Sequence, residues 1–147
     1  MTDPDLGAAI VLAERRPDRP TLLYDDGCRF CRAMAELLLR LSRRRELAML
    51  PWSAEMARAW LAALEPVVRD ASMHLKLADG ALVSGDEVFA ATLAHVRGLK
   101  WLAWLARKAR PADWLMAHIY RFVARHRDFF SRLVPYRPAV SREPHLV

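Results

Sequence analysis

A chain of 147 residues with 54% apolar content can enclose a core of its own, and two cysteines are too few to staple a secreted disulfide scaffold. The net charge of +6 and the pI near 10 raise nucleic-acid binding. Nearly all of that charge is arginine spread from Arg15 to Arg142, and its one dense run, Arg43-Arg44-Arg45, falls where a helix should end and meet it favourably, so nucleic acid is disfavoured as a partner.

Residues 1–20, punctuated by Pro4, Pro17 and Pro20, read as a loose leader with room for a short helix over Leu6–Ala13. That apolar stretch follows Asp3 and Asp5 and ends at Glu14-Arg15-Arg16, the wrong flanks for a targeting segment. No run approaches the roughly 20 apolar residues of a membrane span, so a cytoplasmic protein without a transmembrane segment is expected. Thr21–Tyr24 is a β-favouring run that stops at the turn residues Asp25, Asp26 and Gly27. Cys31, Met34, Ala35, Leu38 and Leu41 then share a helical face, predicting a helix to about Arg43 with Glu36 and Arg40 paired on its solvent side. Glu46–Leu50 is a second strand, bounded by Pro51 and parallel to the first because a helix connects them.

Ser53 suits the N-cap of a helix with Met56, Trp60, Ala63 and Leu64 on its buried stripe, and Pro66 stops it. Met73–Leu77 alternates as a half-buried strand does, with His74 on the polar face, and Asp79-Gly80 turns it into Ala81–Val83. Ser84 and Glu87 form a capping box for a helix burying Val88, Phe89, Thr92, Leu93 and Val96, ended by Gly98. Leu99–Lys108 is helical. Pro111 opens a last helix with Asp113 in its first turn and Leu115, Ile119, Phe122 and Val123 as its apolar stripe. Residues 135–147, with Pro135, Pro138 and Pro144, read as a poorly ordered tail. The reading is α/β: a single domain over 21–134, ordered β-α-β-α-β-β-α and followed by a helical extension.

Both cysteines lie in Cys28-x-x-Cys31, where a strand gives way to a helix. Three residues of spacing brings the two side chains together on a first helical turn, within reach of a disulfide. Unpaired N–H groups and the positive end of the helix dipole favour the attacking thiolate, and Arg29 and Arg32 add positive charge nearby. The pattern points to thioredoxin-like redox chemistry. Cys28, nearer the helix start, is the expected nucleophile and Cys31 the resolving thiol. Such a pair carries its own electrons and needs no cofactor; its partners would be protein or small-molecule thiols and disulfides. Structural zinc takes four ligands, of which this pair supplies two, and the five histidines offer no matching spacing.

Asp25 is either turn chemistry or a carboxylate placed to relay a proton during exchange. Trp101, Trp104 and Trp114, interleaved with Lys and Arg, more often face a core; outward, they would form an amphipathic surface. The alternative function is therefore a non-enzymatic, redox-sensing or interaction module whose basic, Trp-rich helices bind a protein or a membrane surface. Oligomeric state is not legible.

Tyr24-Asp25-x-x-Cys28-x-x-Cys31 resembles the D-x-x-C-x-x-C signature of the DCC family, thioredoxin-like proteins described as thiol-disulfide oxidoreductases. The likeness runs from about Thr21 to about Leu133 and takes in Asp79-Gly80, Ser84-Gly85 and the segment Ile119–Arg127, with Tyr120, Arg121 and Arg127 at family positions. Asp26-Gly27 departs from the family's usual Gly followed by a variable residue. The resemblance implies a thioredoxin-like fold and makes Cys28, Cys31 and Asp25 site residues. Thioredoxins place a cis-proline before the third strand; Asp70-Ala71-Ser72 stands here instead, which shifts the expected substrate toward a small thiol or one dedicated protein.

Overall fold

Four consecutive residues of high β propensity, Thr21–Tyr24, form the strand around which the chain closes (β1). In the computed structural model, which describes residues 11–108 and 110–147, all four are buried. Such a run, apolar on both faces, requires cover on both faces. On one side Leu22 and Tyr24 pack with Ala35 and Leu38 of helix α1 (Arg29–Leu41) and Val88 of α4 (Asp86–Leu93). On the other, Leu23 packs with Ala57, Trp60 and Leu61 of α2 (Glu55–Leu61).

The sheet has the order β2-β1-β3-β4. β1 runs parallel to β2 (Ala48–Pro51), with Thr21 opposite Ala48 and Tyr24 opposite Pro51, and antiparallel to β3 (His74–Lys76), with Leu22 opposite Leu75. β3 pairs antiparallel with β4 (Leu82–Ser84). The turn between them uses Gly80 at φ 95, a left-handed conformation that glycine adopts without strain, and Asp79 Oδ1 accepts the Ala81 N–H at 2.9 Å. Helices α5 (Lys100–Lys108), α6 (Arg110–Arg125) and α7 (Arg127–Leu133) follow, with α7 packed back on α1. The mixed α/β class expected from the sequence is found, and the expected order β-α-β-α-β-β-α gains one helix, between α2 and β3.

Several local expectations are overturned, mostly by partners distant in sequence. Helix α2 is capped by the backbone of Ala54 rather than by Ser53 and ends at Leu61, and Pro66 begins a further helix, α3 (Pro66–Ala71), as its first residue. Ser84 ends β4 instead of capping α4, because its hydroxyl is 2.7 Å from His74 Nδ1; the N-cap is Gly85, at φ 78. His74 is fully buried, since helices cover both sides of β3. Its Nε2 donates to the Arg69 carbonyl at 2.9 Å, which leaves Nδ1 to accept from Ser84, and burial holds its pKa down. Trp101, Trp104 and Trp114 face outward at 62, 57 and 62% exposure, and Leu115, Ile119 and Phe122 of the expected buried stripe are exposed too. The expected last helix is two, broken at His126.

The segments expected to be loose hold contacts at both ends of the chain. Residues 11–14 are helical, while residues 1–10 of the leader and the side chain of Asp113 lie outside the description. Trp60 Nε1 donates to the Leu12 and Arg15 carbonyls, and Pro17 pairs with Leu146. In the tail, Arg142 forms a two-way backbone bridge with Met49, 2.8 Å in each direction, covering the open edge of β2. The Arg142 guanidinium donates to the Leu39 carbonyl at 2.7 Å and to Ser42 Oγ at 3.2 Å, and Tyr24 Oη exchanges hydrogen bonds with both backbone groups of Val140. Proline keeps this tail out of helix and sheet ladder without stopping it from packing.

Arg142→Ala should therefore lower stability by about 2 kcal/mol, the scale of buried hydrogen bonds to a charged group. Thermal unfolding followed by circular dichroism should show a fall of about 4–8 °C.

Candidate active site

Where β1 ends, Asp25 Oδ1 accepts the Gly27 N–H at 2.9 Å, and this short turn delivers Cys28 to the N-cap of α1. An N-cap side chain must accept from an N–H that has no helical partner, a place usually taken by Ser, Thr, Asp or Asn. Here the acceptor is sulfur: Cys28 Sγ takes the Cys31 N–H at 3.2 Å. Both cysteines are free thiols.

A second group reaches Cys28 from the far end of the sequence. Ser131, on α7, holds its Oγ 3.4 Å from Cys28 Sγ and accepts the Phe30 N–H at 3.3 Å. Accepting from Phe30 leaves the hydroxyl proton available to the sulfur. Phe30 and Phe130, with ring centroids 5.4 Å apart, fix α7 against the start of α1.

The two thiols are driven apart in acidity. Cys28 falls to about 6, chiefly because the Cys31 thiol donates to its sulfur, with Ser131 and the Cys31 N–H acting the same way and burial and Asp25 opposing. Cys31, the deeper of the two, is pushed well up by that donation, by burial, and by the negative charges of Cys28 and Asp25. Arg32, expected to lend positive charge to the pair, donates instead to the Asp26 and Arg137 carbonyls and lies over the Tyr136 ring.

Asp25 is partly exposed rather than sealed in, at 25% for its side chain, with Oδ2 3.8 Å from an Arg127 guanidinium nitrogen. This pair separates two openings. On one side lies an apolar cavity of about 240 Å³ walled by Cys31, Phe30, Met34, Trp52, Phe89 and Val123, with Ala71, Ser72 and Met73 ahead of β3 completing it. The indole nitrogen of Trp52 is buried without a hydrogen-bond partner among the described residues. On the other side Cys28 opens onto a polar groove with Arg29, Arg132, Asp128 and Ser131. Asp25 and Arg127 line both. Among the described residues there is no cis peptide and no cluster of three His, Cys, Asp or Glu side chains able to hold a metal.

The model of the DCC1-like thiol-disulfide oxidoreductases matches residues 22–133, from β1 to the end of α7. The chain belongs to this family. No curated protein and no solved structure matches it. Its four-stranded sheet and flanking helices are consistent with the thioredoxin-like fold expected of a DCC1-like protein. Of the three residues singled out in the sequence, Cys28 and Cys31 meet at the helix start and Asp25 lines the cavity beside Cys31. Two further neighbours of the pair in this DCC1-like chain were not expected. Arg127 lies within the segment that carries the resemblance but reads as a solvated arginine. Ser131 has no local signal, because its partner is 103 residues away.

Alkylation of the reduced protein at Cys28 by iodoacetamide should titrate with a midpoint near pH 6. Ser131→Ala should raise the midpoint, and Cys31→Ala should raise it further, in the order of the causes. Because Cys28 is depressed from its ordinary value of 9.0, its stabilising contribution is full above pH 9 and is lost as pH falls to about 6. Denaturant unfolding of the reduced protein should show stability rising with pH across that window, a slope that Cys28→Ser removes.

Proposed function

We propose that the protein exchanges disulfides through Cys28 and Cys31. The observation that carries this reading is the opposed acidity of two thiols joined at one helix start: one is an anion near neutral pH, the other stays protonated beside it. The Cys28 thiolate attacks a substrate disulfide, displacing one half as a thiolate and leaving the other joined to Cys28. Cys31 then loses its proton and attacks Cys28 Sγ. The second half leaves as a thiol, and the protein holds a Cys28–Cys31 disulfide. Two electrons have passed to the substrate, and the reverse sequence oxidises a dithiol.

Cys31 needs a base at the second step, and Asp25 is the carboxylate that shares its cavity. Arg127 keeps Asp25 oriented and offsets its repulsion of the Cys28 thiolate. The substrate is a protein or low-molecular-weight thiol or disulfide, and an acceptor on it can meet the Trp52 indole N–H. We place the reaction in the cytoplasm on the sequence reading alone. The outward tryptophans favour a second reading, a redox-sensing or interaction module without turnover.

A trapping experiment separates the two. Cys31→Ser should accumulate mixed disulfides through Cys28, whereas Cys28→Ser should accumulate few, although serine still caps the helix and the protein folds. Capture of a partner independently of both thiols, with no mixed disulfide, would move the conclusion to the interaction module. Asp25→Asn should leave the melting temperature nearly unchanged and slow the resolving step by about 10²-fold. Alkylation of Cys28 should stay equal or become faster, since a negative charge beside it is gone. A variant that melts lower yet exchanges at the parent rate would reduce Asp25 to a turn residue.

A further inference from the structure

Helices α5, α6 and α7 differ from the rest of the molecule in two respects at once. Residues 100–133 contain eight Lys and Arg against two Asp, a net charge of +6 that equals the whole chain's, so the remaining residues balance to zero. The same stretch carries eight of the fifteen large apolar side chains found exposed among the described residues, so the apolar excess lies where the charge does.

Helix α6 wears its amphipathicity outward. At 100° per residue, Trp114, Leu115, His118, Ile119 and Phe122 fall in a sector of about 140°, with Arg121 and Arg125 toward its Trp114 side. All of these residues are exposed. The opposite sector, turned to the protein, holds the partly buried Ala117, Tyr120, Val123 and Ala124. Helix α5 repeats the arrangement in one turn and a half. Ala103 faces inward, while Trp101, Trp104 and Lys108 share an outer face at i, i+3 and i+7. Ile119 also lines the apolar cavity, whereas Trp101, Trp104, Trp114, Leu115 and Phe122 are each more than half exposed.

We propose that α5–α7 form a peripheral attachment surface for a bilayer containing anionic phospholipids. Tryptophan, phenylalanine and leucine enter the boundary between headgroups and acyl chains, and Arg107, Lys108, Arg121 and Arg125 meet the negative headgroups. The protein lies on the membrane, for among the described residues no helix is long and apolar enough to cross one. Charge decides between occupants. Two copies pressed together through this face would each bring +6 to the contact, an arrangement that repels. Nucleic acid would match the charge and stack on the tryptophans, but would leave Leu115, Ile119 and Leu133 in water.

Co-sedimentation of the full chain with vesicles provides the test. The protein should pellet with vesicles of phosphatidylcholine mixed with phosphatidylserine, remain in solution with phosphatidylcholine alone, and shift its tryptophan emission to the blue only with the former. Arg107→Gln and Lys108→Gln should each weaken binding by about fivefold, and high salt should release the protein. Trp104→Ser with Trp114→Ser should weaken it by about tenfold or more, while the melting temperature stays put because both side chains are exposed. Equal binding to neutral and anionic vesicles, or none to either, would overturn the proposal. So would a concentration-dependent dimer in analytical ultracentrifugation that the two tryptophan substitutions dissolve, or tryptophan-dependent binding of single-stranded DNA with no vesicle binding.

Discussion

A sulfur in the place of a capping oxygen sets the terms for the rest of this molecule. Cys28 must sit at the helix start with extended backbone for its Sγ to accept the Cys31 N–H, and that requirement fixes where β1 stops and α1 begins. With α1 so placed, Ala35 and Leu38 reach Leu22 and Tyr24, and the core on that side of the sheet follows. The capping interaction is also the chemical one: a helix start that prefers an anionic acceptor stabilises the thiolate. The hydrogen bond that caps the helix thus also contributes, beside the Cys31 thiol and Ser131, to the acidity of Cys28.

The two sulfurs, one helical turn apart, look into different surroundings. Cys28 faces a groove of arginines and Ser131, and Cys31 faces a cavity of aromatic and aliphatic side chains. Donors on one side favour the Cys28 anion, and the hydrogen bond to Cys28 together with apolar walls on the other keeps the second thiol neutral. The Asp25–Arg127 pair stands at the division with a charge of each sign. The late helices are consequently part of the site rather than an appendage, since α7 supplies Arg127 and Ser131 and α6 supplies Val123 to the cavity wall.

Features governed by near neighbours in sequence were legible, and those governed by distant ones were not. β1, α1, the Cys28–Cys31 pair and the Asp79-Gly80 turn all follow from residues within a few positions of one another. Ser84 has the right neighbours for a cap and fails to cap, because His74 from the adjacent strand takes its hydroxyl. His74 sits in an alternating pattern and is nevertheless buried, because helix cover is a property of the assembled sheet. Periodicity grouped Leu115, Ile119 and Phe122 on one face of α6 correctly. It could not say whether that face turns inward, since the protein-facing side is chosen by what packs against it. Ser131 stayed invisible for the same reason: a serine gains meaning only from the sulfur brought to it.

The bridge from Arg142 to Met49 and the grip of Tyr24 on Val140 bear on how the chain is made. Both join the first half of the sheet to residues about a hundred positions later, the costliest kind of contact for a folding chain to close. During synthesis β1, α1 and β2 emerge early, but the outer edge of β2 stays open until residues near 142 appear. For that interval the nascent chain presents an unpaired strand edge with Met49 and Leu50 beside it, the sort of surface that chaperones shield.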